Sequence, residues 1–334
     1  MNEWQGQQGW RPYPPLLEAH RRFSLVGVAL CVMMAVWLGM NIICTGALGV
    51  LMPQGVPMWM LVLASSGPLY ALAMPLALTV LRRVPALRTR EFSLGAKRFR
   101  GLLLVCFPVM IVGNIIGAGL ADMLSGGSAA NRVSDMILAS DPWVNALFVV
   151  LLAPLFEEWM FRRQLIDRTR RYGERTSIIL SAFAFALFHM NLYQFFYAFG
   201  LGLVFGYAYM RTSRLRYSVA LHMIVNAFGS LLAPAVLALA GDSSVAAADG
   251  GMSDERLMAL MGQNAGVMLI GLYGLLMLGL AVAGAVVLLA NLRRLEFYDP
   301  PEQLPRWYGA RAAMLNPGMI VYTVMTVALS LWMM

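Results

Sequence analysis

The sequence predicts an all-α fold, a polytopic transmembrane helical bundle of about eight to nine spans. Three observations predict it. Of 334 residues, 60% are hydrophobic and only 13% are charged, about half the charged share of a soluble domain. Apolar runs of membrane-spanning length recur along the whole chain, and the mean hydropathy is +0.68,. The basic residues also fall on alternate connecting segments. With the N-terminus in the cytoplasm, the inside segments hold 23 of the 25 Lys+Arg, and only Arg132 and Arg256 lie outside. The positive-inside rule therefore accounts for the net charge of +8, and nucleic acid is not an expected partner.

Each element follows from the local pattern. The first 23 residues are polar, and the apolar run after them is too long for a signal-peptide h-region. It reads as a retained first span over 24–52. Pro53-Gln54-Gly55-Val56-Pro57 is a tight uncharged turn,. A second span covers 58–81, a basic loop 82–100, a third span 101–123 and a polar loop 124–142. The fourth span runs over 143–161 and continues into an arginine-rich segment. The fifth covers 176–190, the sixth 195–210 and the seventh 217–240. Residues 241–264 read as an acidic, small-residue external loop, and the eighth span covers 265–291. Residues 317–334 form a last apolar run, just long enough to span. The chain accordingly divides into an N-terminal arm with three spans (1–142), a transmembrane core that carries the polar residues taken up next (143–232) and a C-terminal part (233–334). The expected location is the cell membrane, multi-pass, with membrane lipids as partners. No internal repeat is visible, which counts against a secondary transporter.

The residues with chemistry sit in 143–232. Glu157 and Glu158 are adjacent carboxylates beside a segment built for lipid, where a charge costs roughly 2.5–3.5 kcal/mol on insertion scales. Glu158 and Arg162 are spaced i, i+4 and can pair. Glu157 lies about 100° round the helix and faces something else. His189 shares a helix face with Phe185, and His222 with Asn226. In a soluble core, a lone histidine bonded to a carbonyl would be the favoured reading; within a membrane, ionisable residues usually mark a site. His20 lies in the polar arm and is given no role. By depth along their helices, Glu157, His189, His222 and Asn226 meet between the bilayer centre and the cytoplasmic side. His189 fits only if its helix is tilted or starts within the arginine-rich segment.

A carboxylate, two imidazoles and an amide in an apolar cavity suit hydrolysis. Glu157 is placed as general base, His189 as its partner on the water, and His222 with Asn226 as donors to an oxyanion. The rival reading makes Glu157, His189 and His222 ligands of a divalent metal such as zinc, although the spacing is not H-E-x-x-H. Pro154 should loosen its helix one turn before the glutamates. Gly202-x-x-x-Gly206 reads as close helix packing. Cys31, Cys44 and Cys106 read as small core residues with no disulfide framework.

Glu157-Glu158-x-x-x-Arg162, Phe185-x-x-x-His189 and His222-x-x-x-Asn226, in that order on successive spans, resemble the three motifs of the CPBP (Abi) family. This family includes the type II CAAX prenyl endopeptidases and bacterial bacteriocin-processing and immunity proteins. The resemblance covers about 143–232. It implies an α-helical intramembrane endopeptidase acting on a membrane peptide or protein. Glu157 and His189 would activate water, His222 and Asn226 would hold the oxyanion, and Glu158 and Arg162 would support them. The family has been argued both as metalloprotease and as metal-independent glutamate protease, and the latter is the reading taken. A non-catalytic immunity or scaffolding protein on the same fold is the alternative, and a proton-coupled transporter comes third.

Overall fold

The computed structural model describes residues 16–127, 130–241, 265–300 and 302–333. The expected external loop 241–264 lies, apart from Gly241, outside the described residues. The described residues form helices and no strand. In chain order these are α1 (Leu16–Leu51), α2 (Met58–Leu81), α3 (Ala96–Ser125), α4 (Arg132–Ala139), α5 (Pro142–Tyr172), α6 (Glu174–Phe188), α7 (Leu192–Thr212), α8 (Leu215–Ala240), α9 (Ala265–Arg294), α10 (Arg306–Met314) and α11 (Pro317–Trp332).

The all-α bundle is as expected, but the span count is lower. Among the described residues, six helices are long and apolar enough to cross a membrane: α1, α2, α3, α5, α8 and α9. A seventh is added if α10 and α11, bent by 60°, form one broken span. The shortfall lies in α6 and α7. With 15 residues, α6 rises only about 22 Å, less than the roughly 30 Å of a hydrocarbon core. In α7, Gln194, four tyrosines and three glycines interrupt the apolar run. Helices also occur where loops were expected. Residues 132–139 form two turns, capped where the Asn131 side chain accepts from the Ser134 N–H. Residues 306–314, between the eighth span and the last apolar run, form another helix.

The helices approach closely where glycine removes the Cβ. A Cβ on Gly113 would stand 2.5 Å from the Tyr197 backbone, and one on Gly117 would stand 2.7 Å from the Tyr193 carbonyl. The face Gly113-x-x-x-Gly117 of α3 thus lies flat on α7. Gly202 and Gly206 perform the packing expected of them, against Ala182 and Ile178 of α6. Gly284 of α9 sits on the Leu104 carbonyl of α3, and Gly27 of α1 meets Gly318 of α11 backbone to backbone. Tight crossings of this kind give packing contacts that the hydrophobic effect cannot supply in lipid.

The basic segments interlock at one end of the bundle. The Leu87 N–H donates to the Asp167 carbonyl over 2.6 Å and the Phe92 N–H to the Thr212 carbonyl over 2.8 Å. Arg168 donates to the Leu81 carbonyl over 2.9 Å, and Arg170 to the hydroxyls of Thr89 and Ser213 over 2.8 and 3.0 Å. Arg211 pairs with Glu174, and Arg22 donates to the Tyr172 hydroxyl. At the opposite end, Trp59 packs on Trp143 and the Asn145 amide donates to the Ile137 carbonyl. With these basic segments interlocked at one end and, among the described residues, six or seven apolar helices of spanning length, the chain reads as a multi-pass membrane protein,.

Candidate active site

The site is built on α5, which is not a uniform helix. Its backbone widens into π-turns over Asn145–Leu152, is α-helical over Ala153–Glu158, and widens again over Trp159–Ile166. Such bulges cluster at functional positions. The loosening expected at Pro154 is thus a change of hydrogen-bond register on both sides of the glutamates. Met74-Pro75 on α2 and Ala233-Pro234 on α8 follow π-turns in the same way.

Glu158 and Arg162 pair across one turn with both side chains fully buried. Arg162 Nε donates to Glu158 Oε2 over 3.0 Å, and Nη2 donates to Oε1 over 3.2 Å. The remaining Nη1 donates to Ser181 Oγ over 2.8 Å, and Ser181 in turn donates to the Phe161 carbonyl over 2.6 Å. The guanidinium also stands 4.8 Å over the Phe185 ring, a favourable position for a cation. His222 Nδ1 lies 3.1 Å from Glu158 Oε1. Two polar partners, Ser181 of α6 and His222 of α8, therefore converge on this ion pair, as a buried charge pair requires,.

Glu157 has different surroundings. Its residue is 8% exposed, and among the described residues the basic group within 4 Å of its carboxylate is the His222 imidazole, with Nε2 at 3.9 Å from Oε2. His222 thus stands between the two glutamates. An ionised carboxylate only accepts, so the Nδ1 facing Glu158 carries a hydrogen. In the neutral ring the Nε2 lone pair is then turned to Glu157. His222 is held flat on Phe205, at 5.1 Å between ring centres, and edge-on to Phe185.

His189 caps the end of α6, half-buried. It reaches the level of the site because α6 starts at the interlocked basic end, at Glu174, and stops within the bundle. The turn that follows places Met190 at φ 47° and caps α7 with the Asn191 side chain. Irregular backbone at this depth is tolerated because it is enclosed by protein. His189 Nδ1 lies 2.8 Å from the Phe185 carbonyl. A carbonyl cannot donate, so Nδ1 carries the hydrogen and Nε2 is the free basic nitrogen. Phe185 is the common wall, touching both imidazoles and the Arg162 guanidinium.

Asn226 is committed on one side: its Nδ2 donates to the Val149 carbonyl over 2.9 Å. Because that carbonyl can only accept, the orientation of the carboxamide is assigned by its partner. The second N–H of the same nitrogen is not consumed by this bond. Residues that no motif spacing singles out complete the site: Ser181 as relay, Phe205 as the floor under His222, and Tyr70 and Tyr197 within electrostatic reach of Glu157. Tyr70 is stacked on Phe156 at 4.2 Å. In an apolar sequence nothing distinguishes these four positions.

The metal reading was tested on the donors present. Both imidazoles donate through Nδ1 to an oxygen, an arrangement that would suit Nε2 ligation. Among the described residues, however, no three His, Cys, Asp or Glu side chains close into a ligand set. No step below is routed through an ion.

The fold and site together define a class: a helical membrane bundle with a buried ion pair, a second desolvated carboxylate and two imidazoles on three converging elements. Residues 139–228 match the family model described as type II CAAX prenyl endopeptidase Rce1-like. The membrane-embedded CAAX protease MroQ of Staphylococcus aureus (strain USA300) is 27% identical over 128 residues, which is 36% of this chain and 52% of that protein. The chain therefore spans about half the length of this curated relative. No solved structure matches. The resemblance to the CPBP family thus rests on this segment.

Proposed function

We propose that the chain is an intramembrane endopeptidase that hydrolyses a peptide bond of a membrane-associated peptide or protein with water activated by Glu157 and His189. The observation that carries this reading is the unequal state of the two glutamates. Glu158 is held by Arg162 and His222, whereas Glu157 is buried beside an imidazole with no arginine or lysine within 4 Å among the described residues. A desolvated, unclaimed carboxylate suits a general base. Glu157 takes a proton from water as the water oxygen bonds to the scissile carbonyl carbon. The carbonyl electron pair moves to oxygen, where the second N–H of Asn226 and the Nε2–H of a protonated His222 receive it. Return of that pair breaks the C–N bond, and the proton on Glu157 passes to the leaving amine. His189 orients the water through its free Nε2. Glu158 and Arg162 keep the donors in place.

The interlocked basic end is assigned to the cytoplasm and the site to the cytoplasmic half of the cell membrane, with the N-terminus inside. The relative's name points to CAAX-type processing as the reaction class, while a prenylated substrate is not required by the site. The test is a proteomic comparison of membranes carrying wild type and Glu157→Ala. Uncut precursors that accumulate only with the variant, and that the purified wild type cleaves, support the peptidase. Identical peptide populations point instead to a non-catalytic immunity or scaffolding role.

A further inference from the structure

Pro154 lies outside the three motifs, three residues before Glu157 on α5. At this point the helix bonds in the i→i−5 register, since the Ala153 N–H donates to the Phe148 carbonyl. The next rung of that ladder would run from residue 154 to Val149. Proline has no N–H, so α5 leaves the Val149 carbonyl without its ladder donor. Inside a membrane bundle an unpaired carbonyl is costly and needs another partner. The partner comes from α8, 77 residues away: the Asn226 Nδ2 donates to the Val149 carbonyl over 2.9 Å. The vacancy in one helix is filled by a motif residue of another.

We propose that Pro154 is a positioning residue, whose missing N–H reserves the Val149 carbonyl for Asn226 and so orients the carboxamide whose second N–H serves the oxyanion. The proposal rests on the oxyanion role given to Asn226 above. A carboxamide is planar, so one hydrogen bond through Nδ2 fixes both its orientation and the direction of its other N–H. Any residue with an N–H at 154 can close the i→i−5 rung itself and compete Asn226 away.

The experiment uses the full chain in detergent or nanodiscs. Pro154→Ala supplies the N–H. Lactic acid at position 154 has no ring and, being an ester, again has no N–H. A hydroxy acid in place of Val150 turns the Val149 carbonyl into a weaker ester acceptor, which leaves Pro154 untouched should Pro154→Ala not fold. The first readout is exchange of the Asn226 side-chain amide hydrogens, followed by NMR of ¹⁵N-asparagine-labelled protein. Exchange is slow in wild type and in the lactic acid variant, and fast in Pro154→Ala and in the position-150 ester. The second readout is single-turnover cleavage of a precursor peptide from the proteomic comparison. Pro154→Ala slows it about 10–100-fold, the loss expected from a small misplacement of a catalytic group. The lactic acid variant recovers the rate, and Pro154→Ala adds nothing in an Asn226→Ala background. Equal protection of Asn226 in wild type and Pro154→Ala overturns the proposal, as does a lactic acid variant as slow as Pro154→Ala. A wild type that cleaves nothing removes the peptidase reading, while the exchange readout still decides the clamp.

Discussion

Replacing each glutamate by glutamine separates the two sites they occupy. Arg162 is fully buried, and its guanidinium has two hydrogen bonds to Glu158 and one to Ser181. Glu158→Gln removes the compensating charge and one acceptor oxygen while leaving the cation in place. Stranding one member of a buried pair costs roughly 3–5 kcal/mol, and the loss here belongs at the upper end because His222 also gives up its ionised partner. Glu157→Gln strands no arginine or lysine, since among the described residues none lies within 4 Å of this carboxylate; its basic neighbour is the His222 imidazole, which Glu158 also holds. The stability of this variant should therefore fall much less than that of Glu158→Gln. Arg162→Gln should resemble Glu158→Gln, and the double substitution should be milder than the two losses added, because the pair leaves together. The assay is unfolding of purified variants in detergent, run alongside single-turnover cleavage. Glu157→Gln should melt normally and cleave nothing. Wild-type stability for Glu158→Gln, or additive losses in the double variant, would refute the assignment of the ion pair as the structural anchor. Full activity in Glu157→Gln removes the proposed general base.

A strong chelator should leave cleavage by purified, metal-free protein intact; stoichiometric zinc whose re-addition alone restores activity would make Glu157, His189 and His222 its ligands. Reporters fused after Arg90, Arg170 and Arg214 should read as cytoplasmic and those within 241–264 as external, and a cytoplasmic reading for the latter reverses the orientation. Nitrogen NMR of labelled histidine should find the hydrogen of neutral His189 on Nδ1, and a hydrogen on Nε2 instead would break the water-orienting role. Gly284→Leu should cost about 1–3 kcal/mol or abolish accumulation, because the new side chain must enter the Leu104 backbone,; unchanged melting would show that α9 is not seated on α3.

Much of this architecture is legible without coordinates. The limits of α2 were read as 58–81 because uncharged turn residues and a basic loop bracket one apolar run. The Glu158–Arg162 pair follows from i, i+4 spacing alone. What escapes the sequence is whatever spans different helices. The bond from His222 to Glu158 joins residues 64 apart, and that from Asn226 to Val149 joins residues 77 apart. Helical periodicity orders a face but does not say which face meets it. Residues 176–190 were read with nearly the limits of α6 but counted as a span, although 15 residues rise less than the thickness of a hydrocarbon core,. The α4 helix was missed because its signal is one capping asparagine in a polar stretch. The register changes did leave a mark, an apolar residue followed by proline at 74–75, 153–154 and 233–234, which single-helix reasoning reads only as weakness.

The crossing of α1 and α11 has a consequence for biosynthesis. Ser24 Oγ accepts from the Gly318 N–H across 294 residues, and the Tyr322 hydroxyl on the same late helix donates to the Ala184 carbonyl, next to Phe185. A nascent chain therefore threads α1 into the bilayer long before its counterpart exists. Ser24 and Gly27, which meet Gly318 of α11 in the finished protein, must wait against lipid or an insertion chaperone until nearly the whole chain has left the ribosome. Topogenesis and tertiary closure are thus separated in time. A chain stopped before residue 317 would be inserted, stay open along one seam, and present itself to membrane quality control with its motifs intact but their brace absent.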